Sequence, residues 1–433
     1  MNDARNTCRK VRELTRSCAG ALLLLLVGAC AGVRNFGNIT DTLPPGIGLG
    51  NEVTLVSAAT EKVAAQMTLD GRVHVIAITN AGDALHVVVS ERGIEQQHKV
   101  GSDRHGYYEN LAITSDAKDR IHLAIKDKYW IWDKSTWHLV GSNRCALLAH
   151  AGALVVCATE VSGKELGTAA QWGITGFGGG PAGVVIPYLV RPEKVVIAEA
   201  TSDGWSYRNV FDYHLRYSVN LDDVGDAVLS GDASGRLHLF FKANEYNSFY
   251  FRYATLVFSE NADRDIEWHT SDGQAVTLMN SESEAIRLGE WFIPASPPLP
   301  FAVDPQTGRA LFFARKSTAF AKRIDAAVEI QGKLLGQPAV FPVPTSRPMR
   351  LAPAGDDRFH ALLGADHSLI YATYRSGEWF AITKVGEFGT PSLFLIDNAS
   401  IQLASDGRRQ ALAIWPKKEG VLVGRWIRLS NGE

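Results

Sequence analysis

The sequence predicts an all-β fold, a β-propeller of four-stranded blades that follows an export segment. Two observations predict the propeller. A unit of about 50 residues recurs along the chain, and each unit holds short strands with turn residues between them and shows no helical periodicity. A third observation, a basic and then apolar N-terminal segment, predicts where the chain is delivered.

The first half of the repeat is an apolar strand, an acidic turn with Gly and Arg, and a second strand, often with His two residues after the Arg. Its six copies are Asp70-Gly-Arg72-Val-His74, Asp119-Arg120-Ile-His122, Asp232-Ala-Ser-Gly-Arg236-Leu-His238, Asp304-Pro-Gln-Thr-Gly-Arg309, Asp357-Arg358-Phe-His360 and Asp406-Gly-Arg408. Copies such as those at Arg309, Arg358 and Arg408 are spaced by about 50 residues.

The second half of the repeat is a strand, a Gly-containing turn and an aromatic strand, as in the segments that end at Trp137, Trp205 and Trp379. Each unit therefore holds four strands. We count seven units, with six or eight blades as alternatives.

The last unit lacks a fourth strand, and a spare apolar strand near residues 52–58 precedes the first unit. We expect this strand to complete the last blade and protect its edge, so that residues 52–433 form the propeller.

The recurring Asp, Arg and His residues are interpreted as structural, because every blade carries them. Asp accepts backbone N–H hydrogen bonds in such turns, Gly supplies a positive φ, and Arg bridges to the Asp or to the next blade. His and Arg, two positions apart, share one strand face. The histidines lie on different blades, so no metal site is predicted from them, and no sequence motif predicts a cofactor.

Residues 1–29 have the pattern of a signal peptide: basic residues, an apolar run too short to span a bilayer, and small residues before Cys30. Val27-Gly-Ala-Cys30 resembles a bacterial lipobox, which implies acylation of Cys30 and an anchor in the outer membrane, since Ala31 follows. The alternative is an ordinary signal peptide that leaves Cys30 unmodified. Residues 30–51, rich in Gly and Pro, are then the lipidated N-terminus and tether.

Cys145 and Cys157 remain as a possible disulfide in an oxidising compartment. Two apolar strands flank His150-Ala-Gly152, and a three-residue hairpin loop there would place Cys145 directly opposite Cys157. The alternatives are two buried free thiols, and a two-residue turn that puts the cysteines out of register.

The Gly-Trp turns at Ser202-Asp-Gly-Trp205 and Arg375-Ser-Gly-Glu-Trp379 resemble shortened forms of the repeat in sialidase-like propellers. The resemblance extends over about residues 52–429 and concerns architecture. Sialidases carry an Arg-Ile-Pro signature whose Arg clamps the substrate carboxylate. Here Val185 precedes Ile186-Pro187, so the resemblance transfers no catalytic residue.

In propellers, the loops from strand 2 to 3 and from strand 4 to the next blade line the face where ligands usually bind. These loops supply the candidate ligand-binding residues, which are Asp103, His105, Tyr107, Tyr108, Trp172, Tyr213, His214, Arg216 and Trp291. Trp172 belongs to a Gly-rich insertion, interpreted as a cap over the channel mouth or as a surface excursion. Candidate carboxylates for a glycosidase are Asp103, Glu109, Asp212 and Asp222.

Composition excludes some functions. The net charge of −2 and the absence of long charge runs leave no footprint for nucleic acid. No apolar run after the signal peptide is long enough to span a membrane, so the predicted membrane contact is the lipid anchor.

Three functional hypotheses remain: a non-catalytic protein- or glycan-binding module of the cell envelope, a glycoside-active enzyme, and an outer-membrane assembly scaffold. The scaffold would carry an Ala-x-Asp…Gly-x-x-x-Trp repeat, which we do not find.

Overall fold

Every sheet in the described part of the chain is antiparallel. The computed structural model describes residues 43–102, 111–125, 128–142, 147–151, 154–161, 171–176, 185–190, 194–201, 204–209, 227–245, 248–257, 268–269, 299–317, 323–331, 334–343, 347–365, 367–388 and 400–430. All of them belong to the compact unit Thr40–Glu433, and the other unit, Met1–Ile39, lies outside the described residues.

The strands are numbered in chain order. The chain enters with β1 (Ile47–Val56). Sheet 1 holds β2 (Thr60–Met67), β3 (Val73–Thr79), β4 (Asp83–Ser90) and β5 (Gly93–Ser102). Sheet 2 holds β6 (Leu111–Ser115), β7 (Ile121–Ile125), β8 (Lys128–Trp132) and β9 (Trp137–Ser142). Sheet 3 holds β10 (Leu147–Ala151), β11 (Leu154–Val161), β14 (Lys194–Thr201) and β15 (Gly204–Asn209), with the hairpin β12 (Gln171–Gly176) and β13 (Val185–Val190) inserted.

Sheet 4 holds β16 (Ala227–Gly231), β17 (Arg236–Glu245), β18 (Ser248–Val257) and β19 (Trp268–His269). Sheet 5 holds β20 (Phe301–Val303), β21 (Ala310–Ser317), β22 (Arg323–Gln331), β23 (Leu334–Leu335) and β24 (Ala339–Val340). Sheet 6 holds β25 (Arg347–Gly355), β26 (Arg358–Ala365), β27 (Ser368–Arg375) and β28 (Glu378–Glu387). Sheet 7 holds β29 (Gln402–Ser405), β30 (Gln410–Pro416), β31 (Leu422–Leu429) and β1, with a 3-10 turn at Lys418–Gly420.

The first strands of these seven sheets contact one another in cyclic order, β2, β6, β10, β16, β20, β25, β29 and again β2. Neighbouring sheets pack face to face through apolar side chains. Between sheets 6 and 7, for example, Leu362 and Tyr371 lie in one core with Trp415 and Ile427. A single four-stranded sheet cannot bury both of its faces, and a closed ring of sheets can. The predicted β-propeller is thus confirmed. In the described part of the chain, no helix is long and apolar enough to cross a membrane.

The N-terminal strand completes sheet 7, as predicted. β1 pairs antiparallel with β31, from Ile47 opposite Leu429 to Val56 opposite Leu422. The strand begins at Ile47 rather than near residue 52, because Ile47 packs into the core between sheets 6 and 7 and Leu49 packs against it. The segment predicted as tether therefore ends several residues earlier than expected.

The predicted register of the cysteine hairpin is wrong. Leu148, not Cys145, lies opposite Cys157, and Ala151 pairs with Leu154. Two residues therefore join β10 to β11 where three were predicted, and this removes the direct opposition on which the disulfide was argued. Cys145 itself lies outside the described residues, as does Cys30, so the disulfide and the lipidation stay predictions.

Candidate functional site

The connections of the propeller fall into two groups at opposite ends of the strands. Since neighbouring strands are antiparallel, the strand 1–2 and 3–4 connections share one end, here called the tight-turn end. Most of them are short, such as 68–72, 232–235 and 376–377, and 258–267 is an exception. The strand 2–3 connections and those between sheets lie at the other end, here called the long-loop end. They include 103–110, 162–193, 210–226 and 270–300.

All nine candidate ligand residues belong to connections of the long-loop end. Asp103, His105, Tyr107 and Tyr108 lie between β5 and β6; Tyr213, His214 and Arg216 lie between β15 and β16; Trp291 lies between β19 and β20; and Trp172 lies between β11 and β14. The candidate carboxylates Glu109, Asp212 and Asp222 belong to the same connections. Of these residues only Trp172 lies within the described part of the chain, in β12 opposite Leu189. The others lie outside it.

The acidic turns of the tight-turn end have the structural roles that the repeat predicted. Oδ1 of Asp232 accepts hydrogen bonds from the backbone N–H groups of Ser234 (2.9 Å) and Arg236 (3.0 Å). Gly235 has a φ of 85°, and the Arg236 side chain pairs with Asp232. The turn of sheet 2 is alike, although the Asp that pairs with Arg120 is Asp116, not Asp119 as the sequence suggested.

Asp119 takes the positive-φ position with a φ of 57°, and its Oδ1 accepts a hydrogen bond from the Leu69 N–H of sheet 1 at 2.8 Å. Two further bridges between sheets at this end are ionic. Arg309 pairs with Asp357 at 2.9 Å, and Arg409 pairs with Asp356 at 2.7 Å. The predicted roles of Arg are confirmed for Arg120, Arg236 and Arg309, whereas in sheet 7 the bridge is made by Arg409 and not by the repeat residue Arg408.

A buried Asp–His–Tyr chain extends inward from two of these turns. In sheet 4, His238 Nε2 lies 3.1 Å from Asp232 Oδ2, and His238 Nδ1 lies 2.6 Å from the hydroxyl of Tyr253. In sheet 2, His122 bridges Asp116 and Tyr129 in the same way. The carboxylate only accepts, so His Nε2 carries the proton and Nδ1 accepts from the tyrosine O–H.

The pKa values agree with these assignments. Burial opposes the charge of Asp116, but hydrogen bonds from the N–H and side chain of Arg120 and from His122 outweigh it and lower its pKa to about 2. Burial raises the pKa of the Tyr129 and Tyr253 hydroxyls, which therefore keep their protons as donors. His122 and His238 are each about 2% exposed. The Asp–His–Tyr hydrogen-bond chains are therefore buried parts of their sheets and are not open to a ligand.

The tyrosines follow a register rule that the sequence analysis missed. Each lies two residues before the cross-strand partner of the histidine: Thr255 faces His238 and Thr373 faces His360, so the tyrosines are Tyr253 and Tyr371. Ile131 likewise faces His122, two residues after Tyr129. A Tyr on strand 3 at this spacing was the available signal, but it requires the strand register.

Sheet 1 has a histidine at the tyrosine position. His74 faces Val88, and two residues before Val88 stands His86. His74 Nδ1 lies 2.9 Å from His86 Nε2, and the indole N–H of Trp137 donates to His86 Nδ1 at 3.2 Å. The Trp137 bond leaves the proton of neutral His86 on Nε2, which then donates to His74. Burial lowers the pKa of His74 to about 4, and burial with the neighbouring histidines lowers that of His86 to about 2.

Aromatic rings enclose this histidine pair between sheets 1 and 2. His98 stacks on His86, with ring centroids 5.8 Å apart, and Trp132 and Trp137 meet the edge of His86 at 5.0 Å. The rings exclude water from His86, which is fully buried. Among the described residues, no group of three His, Cys, Asp or Glu side chains is arranged to hold a metal ion.

A charged cleft of about 450 Å³ lies between β28 of sheet 6 and sheet 7. Lys417 pairs with Glu52 and Lys384 with Glu387, and a hydrogen bond from Lys384 with the charges around it lowers the pKa of Glu387. Arg425 donates from Nη1 to the Val385 carbonyl at 2.8 Å. The lysines already have carboxylate partners, and the sequence analysis selected none of these residues.

The sheets and their cyclic contacts define the protein as a β-propeller. No family model matches the chain, and no curated protein matches it. Among solved structures it is similar to the polysaccharide lyase Uly1, with 11% identity, a TM-score of 0.48, and coverage of 92% of this chain and 94% of that one.

Two further solved structures are similar. The BP39L lectin from Burkholderia pseudomallei has 13% identity and a TM-score of 0.47, with 87% of this chain and 98% of the lectin covered. The intramolecular trans-sialidase from Ruminococcus gnavus has 8% identity and a TM-score of 0.38, with 87% and 95% covered. Likeness of this degree transfers no ligand or activity to this chain.

Proposed function

We propose that the protein is a non-catalytic binding module whose ligand occupies the long-loop end of the propeller. One observation supports this: the connections between strands at that end include the longest ones, and the sequence places the candidate ligand residues in them. At the tight-turn end, by contrast, several Asp and Arg side chains are engaged in turn hydrogen bonds or in ion pairs, some of them between sheets. Long connections on a rigid scaffold are where binding residues concentrate.

The chemistry of the candidates favours a glycan. Trp172, Trp291 and three tyrosines supply flat apolar faces with polar edges. Asp103, His105, His214 and Arg216 supply donors and acceptors for hydroxyl groups. A protein ligand is the alternative outcome, because aromatic and Arg residues also dominate protein interfaces.

A glycan array probed with the mature protein, followed by calorimetry, tests this proposal. The variants are Trp172→Ala and Trp291→Ala, each expected to weaken binding at least 10-fold. The matched control is Phe380→Ala, which removes an exposed aromatic ring (46% exposed) from outer strand β28. Equal loss in the control, or unchanged binding in both tryptophan variants, would contradict the proposed ligand end. Release of reducing ends from a bound glycan would contradict the non-catalytic assignment.

We also propose that acylated Cys30 anchors this module at the cell envelope. The proposal rests on Val27-Gly-Ala-Cys30 and on the preceding apolar run. Stable anchoring needs more than one acyl chain, which a triacylated cysteine provides. A Cys30→Ser variant should lose the acyl mass and leave the membrane fraction. A wild-type protein without acyl mass would refute the anchor.

A further inference from the structure

Sheet 6 contains the same buried histidine as sheets 2 and 4, but its turn lacks the aspartate. The strand pairs Pro353–Phe359, Ser115–Ile121 and Gly231–Leu237 are equivalent across the three sheets. The residue that follows the first member of each pair is Ala354 in sheet 6, where the other two sheets have Asp116 and Asp232.

In sheets 2 and 4 a single carboxylate oxygen receives two side chains. Asp116 Oδ2 accepts from Arg120 Nε at 2.7 Å and lies 3.2 Å from His122 Nε2. Asp232 Oδ2 lies 3.1 Å from His238 Nε2 and forms an ion pair with Arg236 Nε at 3.2 Å, although the Nε–H of Arg236 donates to Ser234 Oγ at 2.9 Å. In both sheets, arginine Nε and histidine Nε2 thus lie around one carboxylate oxygen.

The equivalent atoms of sheet 6 are buried and unpartnered within the described part of the chain: Arg358 Nε and His360 Nε2. His360 is fully buried, and its Nδ1 lies 2.6 Å from the Tyr371 hydroxyl. Burial raises the pKa of Tyr371, so its hydroxyl keeps the proton and donates it to Nδ1. The proton of neutral His360 therefore lies on Nε2, as a second donor beside Arg358.

The surrounding charges also suit an anion. The Arg358 side chain is only 19% exposed, and its one ionic contact with the described residues, Nη2 to Asp356 Oδ2, is long at 3.5 Å. Asp356 is shared with Arg409, and the other turn carboxylate, Asp357, pairs with Arg309. A buried donor without an acceptor is costly, and two such donors two residues apart on one strand, one of them charged, favour an anionic acceptor.

We propose that the turn of sheet 6 binds a small carboxylate anion in the place that the aspartate side chain occupies in sheets 2 and 4. Its oxygen accepts from Arg358 Nε and His360 Nε2. Ala354 stands at the position of that aspartate and is itself fully buried. The site lies at the tight-turn end, opposite the proposed ligand end, and is independent of the proposed function.

Formate is the probe, titrated against the mature protein at constant ionic strength with gluconate as the balancing anion. The wild-type melting temperature should rise with formate, since an anion that binds only the folded state stabilises it. The ¹⁵N resonance of His360 Nε2 should shift over the same concentration range. In Ala354→Asp the chain supplies its own carboxylate, so the formate affinity should fall at least 10-fold. Ala81→Asp, which adds the same charge in an exposed turn, should respond like the wild type.

Asp232→Ala provides the reciprocal test. It removes the carboxylate of sheet 4 and should make that sheet formate-dependent, so that formate restores part of the lost melting temperature. Two outcomes overturn the proposal: an equal formate response in the wild type and Ala354→Asp, or a wild-type His360 resonance that formate does not shift. The second would assign the two donors to a water molecule. The resonance is read on the wild-type protein, so it decides the question even where a variant does not fold.

Discussion

The indole of Trp415 covers Gly386 so closely that a Cβ atom at position 386 would lie 2.3 Å from Cζ2 of the ring. Trp415 is fully buried between sheets 6 and 7, and its Nε1 donates to the Glu387 carbonyl at 3.2 Å. Glycine is thus required here for the packing of two neighbouring sheets rather than for a turn.

Gly386→Ala should destabilise the protein by about 1–3 kcal/mol, because the methyl group displaces a buried ring. Urea unfolding measures the change. Gly101→Ala is the matched control, since Gly101 also lies in an outer strand and no described residue would lie within 4 Å of a Cβ atom there. An equal loss in both variants would show that strand propensity, not Trp415, sets the cost.

Protonation of Asp116 in acid should lower the free energy of unfolding of the protein. Its pKa in the folded protein is lowered to about 2 from 3.8, so its contribution is present above pH 4 and is lost as the pH falls from about 4 to about 2. Asp116→Asn should cost about 2 kcal/mol at pH 7 and flatten this part of the curve. Melting temperatures between pH 6 and 2 measure both effects.

Asp406→Asn is the matched control for Asp116. Asp406 Oδ1 also accepts a turn N–H, from Arg408 at 2.7 Å, but sheet 7 has Leu412 at the histidine position. Its loss should therefore be smaller. A loss as large as that of Asp116→Asn would mean that the buried histidine adds nothing to the turn.

The lowered pKa values of the buried histidines His74 and His86 should also make the protein less stable in acid, over a higher pH range than Asp116. Burial lowers the pKa of both below 6.5, to about 4 and about 2. As the pH falls below 6.5 the unfolded chain binds protons that the folded chain does not. Stability therefore declines from pH 6.5 to about 4, by up to about 1.4 kcal/mol per pH unit for each histidine.

The variant His86→Tyr tests this, because it places in sheet 1 the His–Tyr pair of sheets 2, 4 and 6. Its stability should depend less steeply on pH between 6.5 and 4. His138→Gln, which removes an exposed histidine, is the control and should keep the wild-type slope. An unchanged slope in His86→Tyr would show that the pair does not titrate on unfolding.

The closing strand should be essential for stability. Leu55 of β1 is 2% exposed and packs with Val75 and Leu412 in the core between sheets 7 and 1. Leu55→Ala should cost about 2–5 kcal/mol, measured by urea unfolding. Thr54→Ala, in the same strand but exposed, should change stability by less than about 0.5 kcal/mol. Similar losses in both would contradict packing by β1.

The turns and the closing strand were predictable because each depends on local chemistry or on a simple count. Asp, Gly and Arg in one turn satisfy one another within a few residues, so the repeat reveals them. The sequence analysis missed Tyr129, Tyr253 and His86, because their roles depend on cross-strand register. The register of Cys157 was wrong for the same reason: one residue more or less in a hairpin loop moves every pair.

The sequence alone determined the class of the protein, a β-propeller, because periodic strands and turn residues are written along the chain. It also selected the candidate ligand residues, and the strand order then assigned their connections to one end. Only the tertiary structure decided which side chains share a site. Within the described part of the chain, Arg358 Nε and His360 Nε2 are buried donors without a partner, whereas His122 and His238 of other sheets have Asp116 and Asp232. Such relations depend on packing between segments far apart in sequence, which no local pattern encodes.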